Sequence, residues 1–441
     1  MKNRLSLFWF ILGLCSQLQI VASLSITEMI VLMAAPVMLV TGWYEMRKDG
    51  VMTCFILSIL VILGCLIACI ANKSPAQFAL RGFAATCILS CSIIFSHWMI
   101  RRDAGGIKWF LLGTAISLII CTFVFQRAYE AGMYHQRDTA EIMSRPLYLL
   151  SRASAFIMLP TKGWYLQTPT IINIFAPLIT VAIAMVSTTS GRAASLSALG
   201  FVMLVLIGGK SRRKMMRIPR NFGKIILLSV IAVLVAYGGY SYSARLGWLG
   251  EEAQKKYERQ TGGEKGVMRL LLGGRAASFV GLLACRDKPI VGWGPWAIDE
   301  NGYMEEFIEK YGTLDDIEQL EAARRYRILN SLPAGKIECH SYITEFWLWY
   351  GILGLLFIVY IIFVFIRYMR QDVAVIPQWY AWLACSVPSI MWDIFFSPLS
   401  SRFGFALAVV ACLYARAVRR GLVRLPNEMQ KEIIDSERRG G

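Results

Sequence analysis

Apolar residues along this chain come in runs of about 18 to 23, each closed by charged residues or by a turn containing glycine or proline. Clear runs start near Leu5, Ile26, Val51, Phe78, Gly106, Thr168, Ala194, Ile225, Tyr342, Ile376 and Leu399. Each is long enough to cross a bilayer as a helix, so the pattern predicts eleven spans. The opening stretch MKNRLSLFWFILGLCSQLQ has a basic start and an apolar middle like a signal peptide, but it lacks a small-x-small cleavage site. It reads as a retained first helix.

Charge then orients the runs. Lys2 and Arg4 precede the first, Arg47 and Lys48 follow the second, and Arg101, Arg102 and Lys108 follow the fourth, which places the amino terminus in the cytoplasm. The segment KSRRKMMRIPRNFGK, 210–224, carries seven basic residues and no acidic one, and is also cytoplasmic by this rule. Two spans between these points cannot satisfy both assignments. Parity demands another crossing between residues 127 and 167, and the apolar candidate is RPLYLLSRASAFIMLPTKGWYL, 145–166. The expected fold is therefore all-α, a polytopic bundle of about 12 transmembrane helices with one large helical periplasmic loop. Helices 1 to 9 occupy 1–244, the loop 245–340, helices 10 to 12 341–418 and a cytoplasmic tail 419–441.

Composition agrees with that picture: 56% of the residues are hydrophobic and the mean hydropathy is +0.52. The net charge of +17 invites a nucleic-acid reading, but much of it sits in short loops between spans, where positive-inside topology explains it more simply. Most of the eleven cysteines lie within runs and no CxxC pair suggests a metal site. Cys285 and Cys339 fall in the long polar segment, where a disulfide is conceivable outside the cytoplasm. No Asp-x-Asp pair for a divalent ion, no glycine-rich nucleotide loop and no internal repeat is present, so neither metal nor cofactor is expected.

Three ionisable residues converge on the outer face in this topology. Arg192 opens the eighth span in STTSGRAASLSALG, Arg275 stands in the loop ahead of a GWGP turn, and His340 lies at the lip of the tenth span in ECHSYITEFWLWYGILGLL. Charges at a membrane edge are costly and default to functional hypotheses. Each also has a plainer reading: snorkelling for Arg192, a solvated loop charge for Arg275, a helix-end residue bonded to backbone for His340. Arg81, Arg152, Asp393 and Arg402 are supporting candidates in or near spans, with interhelical ion pairing as their plainer role.

In this order and with these flanks, the motifs resemble the O-antigen ligase and O-antigen polymerase superfamily, integral-membrane glycosyltransferases. SGRAA stands for its Ser-Arg-Gly-Ala-like motif, with the serine-glycine order altered. GGRAASFVGLLACRDKPIVGWGP supplies an arginine-led helix and a Pro-x-x-Gly-x-Gly turn through Arg275, Pro289, Gly292 and Gly294. HSYITEFWLWYGILGLL matches a His-Asn or His-Ser that precedes an aromatic-acidic helix ending in Gly-Ile-Leu-Gly.

The resemblance implies transfer of a glycan from undecaprenyl diphosphate to an acceptor hydroxyl, on lipid A core or a similar lipid-anchored or saccharide acceptor. This takes place at the periplasmic face of a bacterial inner membrane, among membrane lipid and without nucleic acid. The residues suit that chemistry. Guanidinium forks at Arg192 and Arg275 match diphosphate oxygens. An imidazole at His340 titrates in the range a general base needs. A polymerase using the same donor is the close alternative. A flippase or secondary transporter is the distant one, and would favour repeated halves or broken midplane helices.

Overall fold

The computed structural model describes residues 2–16, 18–21, 24–124, 238–239, 242–248, 251, 254–255, 257–258, 276–311, 320–321, 335–337, 339, 341–372, 375–396 and 402–423. Helix dominates them. In chain order the principal helices are α1 (Lys2–Cys15), α2 (Ile26–Lys48), α3 (Met52–Ala71), α4 (Ala76–Arg102), α5 (Ile107–Val124), α6 (Ala276–Asp287), α7 (Tyr303–Tyr311), α8 (Tyr342–Arg367), α9 (Pro377–Phe396) and α10 (Arg402–Arg419). Two very short strands, β1 (Gln19–Val21) and β2 (Leu24–Ser25), pair antiparallel between α1 and α2. The spans expected near Thr168, Ala194 and Ile225, the short helix expected over 145–166 and the tail beyond 423 lie outside the described residues.

Among the described residues, four helices are long and apolar enough to cross a membrane: Ile26–Lys48, Met52–Ala71, Ala76–Arg102 and Tyr342–Gln371. Their outward faces carry large apolar side chains such as Met33, Val40, Ile70 and Leu80, which are exposed on the isolated chain. Such a surface needs lipid rather than water around it. α4 is central, packed on α2, α3 and α10, and almost every residue of α10 from Phe403 to Ala415 is buried.

Local sequence explains several of these elements. Ser25-Ile-Thr-Glu28 forms a capping box at the start of α2: Ser25 Oγ accepts from Glu28 N at 3.2 Å, and Glu28 Oε2 accepts from Ser25 N at 3.0 Å. The pair α1 and α5 touch through Gly13 and Gly113, whose missing side chains let each backbone reach the other. A Cβ on Gly13 would collide with the Phe110 carbonyl, and one on Gly113 with the Phe10 carbonyl. Small residues at a helix contact are the usual means of close approach in lipid.

Helix ends fall into two layers. In one, Trp379 at the start of α9 donates Nε1–H to Ala104 O at 2.9 Å, and Arg419 at the end of α10 donates to Gln371 O at 2.6 Å. This layer also holds Arg101 and Arg102 at the end of α4. At the opposite end of α4, Pro295 presses against Gly82. Asn72, closing α3, donates to Gly292 O at 3.0 Å. The polar segment 276–311 thus packs on the layer away from Arg101 and Arg102. Its small core of Val280, Ala284, Cys285, Tyr303 and Phe307 is completed by Leu348 of α8.

One element differs from the sequence expectation. The run from Tyr342 reads as a single continuous helix, but Gly351 has φ +63 and ψ −149, a combination reserved almost entirely to glycine, and α8 breaks there. Residues eleven positions apart, Phe346 and Phe357, stack with ring centroids 5.8 Å apart. A straight helix would separate them by roughly 16 Å, so the piece before Gly351 folds back along the piece after it.

Candidate functional site

The break in α8 is filled by the turn that follows α6. Breaking the helix releases the Leu348 carbonyl and the Ile352 N–H, which would otherwise bond each other. Trp293 N–H donates to the first at 2.6 Å and Ile290 carbonyl accepts from the second at 2.9 Å. The approach is so close that a Cβ on Gly351 would overlap the Ile290 carbonyl. Gly292 and Gly294, at φ +78 and +84, supply the tight curvature of the turn. Side chains lock the joint: Trp347 Nε1–H donates to Pro289 O at 2.9 Å and Trp293 Nε1–H to Ala284 O at 2.8 Å. Lys288 lies 3.7 Å over the Trp293 ring and donates to Asn72 Oδ1.

Beside this joint, α4, α8 and α10 enclose a cavity of about 80 Å³. Thr86 and Leu89 come from α4, Glu345 and Trp349 from the first piece of α8, and Arg402 from the start of α10. Trp349 meets Trp296 of the turn with ring centroids 4.5 Å apart, so the cavity adjoins the joint. The first piece of α8 is fixed by Ser341, whose Oγ caps the helix by accepting from Thr344 N at 3.2 Å. Glu345, one turn further on, lines the cavity together with Arg402.

A second ionisable cluster lies at the far end of α4. Asp49 is buried and receives Arg101 Nη1 at 2.9 and 2.7 Å on its two oxygens, with His97 Nε2 at 2.8 Å from Oδ2. Because a carboxylate only accepts, the His97 ring carries a proton on Nε2. Arg101 also reaches Glu45 at 3.0 Å, and Arg102 stacks on Trp98 at 3.8 Å.

The residues singled out in the sequence separate as follows. Arg152, Arg192, Arg275 and His340 lie outside the described residues; the position of His340 in the chain is directly before the Ser341 cap. Arg402 lines the cavity and pairs with Glu28 Oε1 at 3.5 Å. Asp393 is buried on α9, and Arg81 is exposed near the start of α4. Cys285 and Cys339 carry separate thiols with no bond between them, and burial pushes the Cys285 thiol up to about 12, so it is inert near neutral pH. No cluster of histidine, cysteine and carboxylate suited to a metal occurs among the described residues.

Sequence reasoning passed over Glu345 and the Asp49–His97 pair. Both had a signal, since each places an ionisable residue within an apolar run. No protein-family model and no curated protein matches the chain.

Proposed function

We propose that the chain is a metal-independent membrane glycosyltransferase of the O-antigen ligase kind. It moves a glycan from undecaprenyl diphosphate to an acceptor hydroxyl at the outer face of the inner membrane. The observation that carries this reading is the joint at Gly351. The Pro289–Gly294 turn and the helix ending in Gly351-Ile-Leu-Gly354 are two separate stretches of the resemblance, and they meet through main-chain bonds. Their meeting favours a common site on the layer where the polar segment packs, next to the chain position of His340.

In this reading Arg192 and Arg275 hold the diphosphate and balance charge developing on the leaving group. His340 takes the proton of the acceptor hydroxyl as the new glycosidic bond forms. A broken helix also suits a transporter, but the Leu348 and Ile352 groups released at Gly351 are already bonded to the protein's own turn. Both thus have a partner in the protein itself, where a transporter would leave them to its solute.

The test is reconstitution of the purified protein with a lipid-linked oligosaccharide, with and without lipid A core. A conjugate identifies a ligase and a longer lipid-linked polymer identifies the polymerase. Absence of both products sinks the proposal. His340→Ala is expected to lose transfer by about 10²- to 10⁴-fold, the usual range for a general base, while still binding the donor. Near wild-type transfer by that variant removes His340 from the chemistry.

A further inference from the structure

Among the described residues, the cavity wall holds one arginine and one carboxyl group with no hydrogen bond. Arg402 sits 3.5 Å from Glu28, a residue held in place by its capping box with Ser25. Glu345 faces the same guanidinium from α8, and its carboxylate makes no hydrogen bond to a described residue. The guanidinium is thus taken by Glu28, and Glu345 lies beyond ion-pair distance of it. The nearest hydroxyl on α4 is committed elsewhere, since Thr86 Oγ1 donates to Phe83 O at 2.8 Å and lies 3.2 Å from Gly82 O.

This arrangement selects among ligands. A diphosphate brings oxygens that only accept, and they would meet the acceptor oxygens of Glu345, because Arg402 is already paired with Glu28. A carboxylate with unused lone pairs instead calls for a neutral donor of hydrogen bonds. The remaining wall is aromatic, with Trp349 half-buried beside Trp296. An acidic acceptor next to an indole face suits a sugar ring, which offers hydroxyl donors at its edge and apolar C–H bonds on its face. At about 80 Å³ the cavity takes the hydroxylated edge of one ring rather than a chain of them.

We propose that this cavity is a neutral-sugar subsite, in which Glu345 accepts hydrogen bonds from hydroxyls of one pyranose ring and Trp349 meets the ring's C–H face. Arg402, paired with Glu28, closes the wall of the site beside Glu345. The proposal rests on the glycan-transfer reading for its biological setting. The ring belongs either to the transferred glycan or to a saccharide acceptor, and kinetics separates the two.

The experiment uses the full chain in nanodiscs and two readouts. The first is saturation-transfer NMR with methyl glycosides of common neutral hexoses, which needs no catalysis. Wild type is expected to give ring-proton signals, and Glu345→Gln and Ala85→Leu to lose them, the second because Ala85 also lines the cavity and leucine there fills it without altering its charge. In the second readout, steady-state transfer, Glu345→Gln is expected to raise one KM by about 10- to 100-fold, as for a hydrogen bond to a charged group, with kcat changed little. A raised donor KM places the transferred glycan in the cavity, and a raised acceptor KM places the acceptor there. Transfer by a wild type that gives no saccharide signal overturns the subsite and leaves the enzyme reading intact. Saccharide signals that depend on Glu345, without any transfer, keep the subsite and overturn the enzyme reading. An unchanged KM with reduced kcat overturns the subsite. So does wild-type activity that needs a divalent cation while Glu345→Gln does not, because Glu345 is then a cation ligand.

Discussion

The two ends of α4 hold ionisable residues in opposite states of satisfaction. At the Arg101 end, Asp49 takes contacts from Arg101 on both oxygens and from His97, and Arg101 continues to Glu45. Near Thr86, Arg402 pairs with Glu28 and Glu345 is left with lone pairs to spare. A buried charge that is fully paired holds helices together; one left under-satisfied at the wall of a cavity is held ready for something that is not part of the chain. The contrast separates a structural clamp from a site without appeal to residue type, since both contain an acid and an arginine.

The clamp is where the largest effect on stability is expected. Asp49→Ala strands the buried His97 and leaves Arg101 with Glu45 alone, and should cost about 3 kcal/mol, the low end of the range for removing one partner of a buried pair. Unfolding in detergent, followed by circular dichroism, measures it. The same measurement on Glu345→Gln should show no comparable loss. Equal losses at both positions would erase the distinction between clamp and site.

Gly351→Ala comes next. Its backbone angles are tolerated almost only by glycine, and the added methyl meets the Ile290 carbonyl, so a cost of at least about 1 to 3 kcal/mol is expected. Proteolysis should then cut the Pro289–Gly294 turn faster than in wild type. Unchanged protection of that turn would show that the joint does not hold it.

The smallest expected effect lies in the polar segment. Tyr303 OH donates to Asp287 Oδ2 at 2.7 Å, and burial together with Asp287 pushes the phenol up to about 12. Hydrogen bonds from Tyr303 and Arg286 hold Asp287 below the usual carboxylate range. The signs follow from which form folding favours. The raised phenol contributes stability that is complete below its ordinary value of 10.0 and is lost as pH rises through about 12. The lowered carboxyl contributes stability present above its ordinary value of 3.8 and lost as pH falls through the lower folded value. Tyr303→Phe should therefore cost about 1 kcal/mol near neutral pH. Its difference from wild type should shrink toward strongly alkaline pH. Hydrogen exchange at α6 and α7 reads this; a difference that grows with pH would contradict it.

The helices were legible because length and hydropathy are local. Runs starting near Ile26, Val51, Phe78 and Gly106 coincide with α2 to α5 to within a few residues, and those near Tyr342 and Ile376 with α8 and α9. The break at Gly351 was not legible, since the apolar run continues through it and the groups that complete it sit on a turn far earlier in the chain. Arg402 was found as a candidate, but its pairing with Glu28 joins α10 to α2, a tertiary fact that no spacing records. Glu345 sat in a stretch noted for being aromatic and acidic, and what sets it apart is the lack of a hydrogen-bond donor, which only three-dimensional neighbours reveal. The aromatic wall and the cavity share that dependence.

The bonds at the joint run between main-chain groups, which every residue carries save that proline lacks the N–H. Mutational drift can replace the side chains of Ile290 and Ile352 without altering those bonds, provided Gly292, Gly294 and Gly351 keep their angles. Such a joint leaves a faint trace in sequence: a few glycines and a proline at loose spacing. Two chains can share it after losing most other likeness, and the place to look for distant kin of this protein is the spacing of those glycines rather than its overall identity.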